Sequence, residues 1–153
     1  MHRALAALAI AALALAGCDS LVTLDGPQRL IGDLRSLGIV ATIGSDQDAS
    51  LLGGAATTVC VGEESVSVYT FEDAGAAADA AATVNQDDPF QVGNAIVEWI
   101  GPPRFWLRDR VIVLYVGGSA GLDGALRQIL GQPFAESPGG GRGLPAFDAI
   151  ACF

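Results

Sequence analysis

Six consecutive apolar residues, Val111-Ile112-Val113-Leu114-Tyr115-Val116, constrain this chain more than any other stretch. A strand presents alternate side chains to opposite faces, so a strand that is apolar at every position is buried on both. The run therefore predicts a central strand, and the other elements are read around it. Pro27 suits the first turn of a helix over 27–37, with Asp25 placed to cap it. Leu30, Ile31, Leu34 and Leu37 form its apolar stripe, and Gly38 ends it. Ile39 to Ile43 reads as a strand, and Thr57 to Phe71 as a hairpin turning at Gly62-Glu63-Glu64. The alanine-rich segment 72–84 reads as a second helix, and Ala95 to Ile100 as a further strand. A third helix is expected over about 120–130, where Leu122, Leu126, Ile129 and Leu130 share a face and Gly131 follows. Together these predict an α+β domain over 27–136, a single mostly antiparallel sheet with about three helices packed on one face. Residues 137–153 form a tail that opens with a Gly/Pro-rich run.

The other constraint lies at the N-terminus. Residues 1–17 have the parts of an export signal: a charge at Arg3, an uncharged apolar run from Ala4 to Ala16, and the small pair Ala16-Gly17 before Cys18. The run is shorter than the roughly 20 residues a membrane-spanning helix needs. Leu15-Ala16-Gly17-Cys18 resembles the lipobox of bacterial lipoproteins. An ordinary secretory signal with an incidental Cys18 is the alternative. The resemblance implies that a diacylglyceryl group is attached to the Cys18 sulfur, that the chain is cut after Gly17, and that residues 18–26 become a lipidated tether. Two or three acyl chains, of the palmitate kind, make a stable anchor where one would be marginal. The protein would then sit on the cell membrane, facing the periplasm or the cell exterior. Asp19 resembles an inner-membrane retention signal.

Composition then excludes whole classes of function. The chain carries 17 acidic residues against eight basic ones, a net charge of −9. Cutting after Gly17 also removes Arg3, leaving seven arginines, no lysine and a net charge of −10 on the mature chain. Such a surface argues against nucleic acid, whose phosphates need basic partners, and against a basic patch lying on anionic lipid. The single histidine, His2, is lost with the signal. The mature chain then has no Ser-His-Asp or Cys-His pair and no histidine metal ligand. No cofactor and no metal are expected. Asp46-x-Asp48 lacks the glycine and terminal glutamate of a calcium loop, and Asp87-Asp88-Pro89 reads as a capped turn. The glycines from Gly117 to Gly121 lack the lysine of a phosphate loop.

With Cys18 committed to lipid, Cys60 and Cys152 remain for an oxidising compartment. They either pair as a disulfide or are buried separately. A bridge over so long a loop stabilises by about 4–5 kcal/mol on the chain-entropy model.

The stretch from Gly101 to Asp109, with Trp99 before it, gathers both tryptophans beside Arg104, Arg108 and Arg110. Its two prolines predict an irregular turn. Trp99, Arg104, Phe105, Trp106 and Arg108 are the candidate binding residues, since aromatics beside arginine are common at interface hot spots and in cation–π stacking. An envelope protein, a small anionic ligand or the nearby lipid headgroups would meet them. The competing reading has the aromatics in the core and the arginines neutralising nearby acids.

From about 28 to 134 the chain also resembles small bacterial lipoproteins of no assigned activity. The resemblance rests on Val66-x-Val68-Tyr69-x-Phe71-Glu72-Asp73, on Trp99-Ile100-Gly101-Pro102-Pro103 with Phe105, and on Arg110 to Gly117. It implies no catalytic residue, and the tail from Ser137 departs from it. The leading expectation is a membrane-anchored extracytoplasmic interaction module. The alternatives are a carboxylate-dependent envelope hydrolase, with Glu98 and then Asp109 as its candidate acids, or a purely structural envelope protein.

Overall fold

The computed structural model describes residues 24–48, 50–138 and 152. The signal segment, Cys18, Asp19 and most of the tail lie outside the described residues.

Helix α1 (Pro27–Ser36) begins at its proline and buries Pro27, Leu30, Ile31 and Leu34. Its N-cap is Gly26, with no side-chain cap, so the expected cap at Asp25 is not made. The Asp25 carbonyl instead accepts from Arg110 Nη2 at 3.1 Å. Gly38, at φ +80°, takes the left-handed conformation that lets the chain leave the helix. Strand β1 (Thr42–Gln47) starts later than the expected 39–43 and carries an irregularity in register between Ile43 and Asp46. Strands β2 (Ala55–Val61) and β3 (Glu64–Thr70) form the expected hairpin, with Val59 opposite Val66. Helix α2 (Ala74–Ala81) is capped by Asp73, whose carboxylate accepts from Ala76 N at 2.8 Å.

Two expectations on the next segment are corrected. Only Ala95 and Ile96 of the predicted 95–100 strand are extended in a ladder, as β5 (Ala95–Ile96) paired with β4 (Gln91–Val92) in a separate two-stranded sheet. The predicted irregular turn at 101–109 is instead strand β6 (Pro103–Arg108). Pro103 sits at its first position, where a missing N–H is tolerated. Strand β7 (Val111–Val116), helix α3 (Ala120–Leu130) and the short β8 (Ala135–Glu136) complete the order. Ser119 Oγ caps α3 by accepting from Leu122 N at 3.3 Å.

The main sheet is antiparallel, in the order β1-β2-β3-β7-β6-β8, so the six-residue apolar run lies between two strands as its composition requires. Its alternate residues feed two separate cores. Val111, Val113 and Tyr115 join Val59, Val66, Val68 and Trp106 under Leu30 and Leu34 of α1 and Leu122 and Leu126 of α3. Ile112 and Leu114 join Tyr69, Phe71 and Phe105 under Ala77, Ala80 and Ala81 of α2, with Val84 and Val92 beside them. The helices therefore cover both faces. The expectation of a single sheet with all helices on one face fails on both counts. The physical reason is β7 itself, whose second apolar face also needs cover, and the small residues of α2 allow close approach there.

Cys60, on β2, is bridged to Cys152 across a sequence separation of 92, with Cα atoms 5.5 Å apart. Among the described residues no helix is long and apolar enough to cross a membrane. With the bridge formed, labelling of the unfolded, unreduced mature protein should find no reactive thiol at Cys60 or Cys152. Reduction should lower its unfolding free energy by about 4–5 kcal/mol. Two reactive thiols before reduction would contradict the pairing.

Candidate functional site

The five candidate residues of the aromatic and arginine stretch divide between the two faces of the main sheet, Arg104, Trp106 and Arg108 toward α3 and Trp99 with Phe105 toward α2. Because β6 is a strand, its neighbours point to opposite faces. Phe105 is fully buried in the α2-side core, and Trp106 is 1% exposed in the α1/α3-side core. Truncating either to alanine removes about 3–5 kcal/mol of packing. Trp99 is half-buried, packs edge-on to Phe105 with centroids 6.0 Å apart, and donates its Nε1–H to the Pro89 carbonyl at 3.0 Å. Trp106 Nε1–H is likewise satisfied, by the Gly131 carbonyl at 3.0 Å. Phe105 and Trp106 are therefore core residues, and Trp99 is partly exposed beside them.

Arg104 is also an internal residue. Its Nε lies 3.0 Å from Asp123 Oδ1 of α3, close but not aligned as a hydrogen bond. Its Nη1 donates to the Gly117 carbonyl at 3.0 Å, and its guanidinium carbon lies 5.9 Å from the centroid of the Tyr115 ring opposite it in the ladder. Tyr115 donates to Glu64 Oε2 at 3.1 Å and accepts from Ser119 N at 2.9 Å. Arg127 pairs with both Asp123 and Glu136. The chain Glu64–Tyr115–Arg104–Asp123–Arg127–Glu136 thus ties α3 to β3, β7, β6 and β8. Gly117 is demanded by it, since a Cβ there would stand 2.5 Å from Tyr115 Oη and 2.7 Å from Glu64 Oε2. The neighbouring Glu136 and Asp123 carboxylates raise the Arg127 pKa, keeping it charged.

The two candidate catalytic carboxylates have different surroundings. Glu98 is exposed, between β5 and β6. Asp109, in the β6–β7 turn at φ +52°, accepts the Leu24 backbone N–H through Oδ2 at 2.7 Å. The acidic loops are turn formers: Asp48 Oδ1 accepts from Ser50 N at 2.9 Å, and Asn85 Oδ1 accepts from the N–H groups of Asp87 and Asp88. Among the described residues there is no group of three or more His, Cys, Asp or Glu side chains able to hold a metal.

Arg108, the remaining candidate, shares the α3-facing side of β6 with Arg104 and Trp106. Its Nη1 donates to the Ile129 carbonyl at 3.2 Å, near the C-terminal end of α3, where a cation meets the negative pole of the helix. There it borders a cleft of about 290 Å³ between α1 and α3. Leu24, Leu37, Ile129 and Leu130 supply apolar wall, and Arg29, Asp33, Ser36 and Gln128 supply the polar groups with Arg108. Arg29 Nη2 lies 3.1 Å from Asp33 Oδ1, an exposed pair one helical turn apart. Sequence reasoning missed Arg29, Asp33 and Ser36. Their spacing along α1 was readable, but the partner surface on α3 and β6 is created only by tertiary packing. The cleft is at the small end of the usual range for ligand sites, with apolar walls and a few polar groups.

Comparison with protein-family models, with curated proteins and with solved structures finds no match.

Burial pushes the Tyr115 hydroxyl up to about 12; the N–H of Ser119 opposes this and the Glu64 carboxylate adds to it. Burial, with Asp48 adding to it, raises Tyr69 as well. A tyrosine that ionises later in the folded than in the unfolded chain binds more protons when folded. Its contribution to stability is complete below about pH 10 and is lost as pH rises toward 12. Absorbance titration of the folded protein should therefore show less tyrosinate near pH 10 than free tyrosine gives, with the remainder appearing on alkaline unfolding. A Tyr115→Phe variant should lose part of that alkaline sensitivity.

Proposed function

We propose that this protein is a lipid-anchored, extracytoplasmic interaction module of the bacterial cell envelope, held at the membrane through Cys18 and presenting the α1/α3 cleft close to the bilayer. The observation that carries the reading is where the chain enters the domain. Leu24 is fixed by its N–H to Asp109 and forms part of the cleft wall. Five residues separate Cys18 from Leu24, a reach of at most about 22 Å even when fully extended. An acylated Cys18 therefore holds the Leu24 end of the domain near the headgroups. The acidic composition and the absence of histidine after His2 support a binding role over the common hydrolytic mechanisms. Asp109 is engaged with Leu24, so nothing in its surroundings favours the carboxylate-hydrolase alternative.

The test is Cys18→Ala in the native host. The wild-type chain should fractionate with the membrane and carry the mass of its acyl groups. The variant should lose both. A variant that remains with the membrane, or a wild-type chain without acyl mass, contradicts the anchor.

A further inference from the structure

We propose that the α1/α3 cleft holds the headgroup of a zwitterionic phospholipid of the phosphoethanolamine type, in the same bilayer that carries the anchor; this deepens the lipid-anchor reading and rests on it. The tether is short. Leu24 lines the cleft, and the chain beyond it is too short to lift the cleft far from the headgroups.

Arg29 and Arg108 against Asp33 give the cleft a net charge of +1 on a chain whose net charge is −9. Arg29 is engaged only by its exposed pair with Asp33, which is weak enough for the guanidinium to turn to a phosphate. Arg108 uses one donor on Ile129, leaving the rest of its planar fork for a second phosphate oxygen.

The helix ends distinguish a zwitterion from a simple anion. Ser36 and Leu37 close α1, and Gln128 to Leu130 close α3, so two helix C-terminal ends border the cleft. Their carbonyl poles, with Asp33, attract an ammonium group and oppose a second negative charge.

The surroundings agree. Register aligns Gln47 with Ala56, Ala55 with Thr70, and Thr70 with Val111. That places Asp46, Asp48, Glu72 and Asp73 at the same end of the sheet as Asp109. Such a ring is repelled by an anionic bilayer and tolerated by a zwitterionic one.

The experiment uses the full acylated protein in detergent, labelled with ¹⁵N-arginine and ¹⁵N-tryptophan. It is titrated with dihexanoyl-phosphatidylethanolamine, dihexanoyl-phosphatidylglycerol and free glycerophosphoethanolamine. The Nε–Hε resonances of Arg29 and Arg108 should shift together and saturate with the first. The second and third should bind at least about tenfold more weakly. Arg29→Gln, an exposed substitution that leaves the α3 contact of Arg108 in place, should weaken binding by about tenfold while the Trp106 indole resonance stays unchanged. Silent arginines, equal binding of the glycerol headgroup, or equal binding of the free headgroup would each overturn the proposal. The intact mass of the same sample separates the two claims: an unacylated Cys18 refutes the anchor, whereas an acylated protein with silent arginines refutes only the cleft's occupant.

Discussion

The fold depends on one strand being buried on both faces. Strand β7 cannot tolerate water on either side, so each face needs its own cover, and the rest of the chain supplies it. On one side α1 and α3 lay leucines across Val111, Val113 and Tyr115. On the other the alanines of α2 approach Ile112 and Leu114, and Phe105 fills the space toward the edge. Since β6 borders β7, its residues are divided between the same two cores, and that division dissolves the aromatic cluster of the sequence into Phe105 on one side and Trp106 on the other.

Polar interactions fix how these layers are stacked. The ionic chain through Tyr115, Arg104, Asp123 and Arg127 sets α3 on the sheet, and Arg108 closes the helix at its far end. Most of the arginine set is thus engaged in holding the domain together. Exposed pairs of this kind contribute little individually, but Arg104 and Asp123 are largely shielded, so losing one partner would strand the other charge in a poorly solvated position. Among the described arginines, Arg29 and Arg108 border the cleft where the chain enters the domain.

Much of the architecture was legible in the sequence because it is written locally. The helices announced themselves through the Leu30 to Leu37 stripe, the Leu122 to Leu130 stripe and their terminal glycines, and the β2–β3 hairpin through its alternating valines. The Cys60–Cys152 pairing was one of two open readings, and the structure forms it. The two-faced cover was legible too: the doubly apolar run at Val111 to Val116 already demanded it, and the one-sided helix layer was inconsistent with that demand. What was not legible depends on tertiary placement. Pro102-Pro103 looks like a strand breaker until Pro103 is seen at the first ladder position. Arg108 looks like part of an exposed aromatic cluster until it is seen on the Trp106 face of β6, bonded to the Ile129 carbonyl at the end of α3. Arg29, Asp33 and Ser36 look like an ordinary solvated helix face until α3 is laid against them.

The account turns on which end of the domain faces the bilayer. The most direct measurement places a fluorophore at Ser36→Cys, in the cleft, or at Glu63→Cys, in the β2–β3 turn at the opposite end of the sheet, with the acylated protein in vesicles containing headgroup-labelled quencher lipid. The account predicts strong quenching at position 36 and little at position 63. Equal quenching at both positions, or stronger quenching at 63, would contradict it.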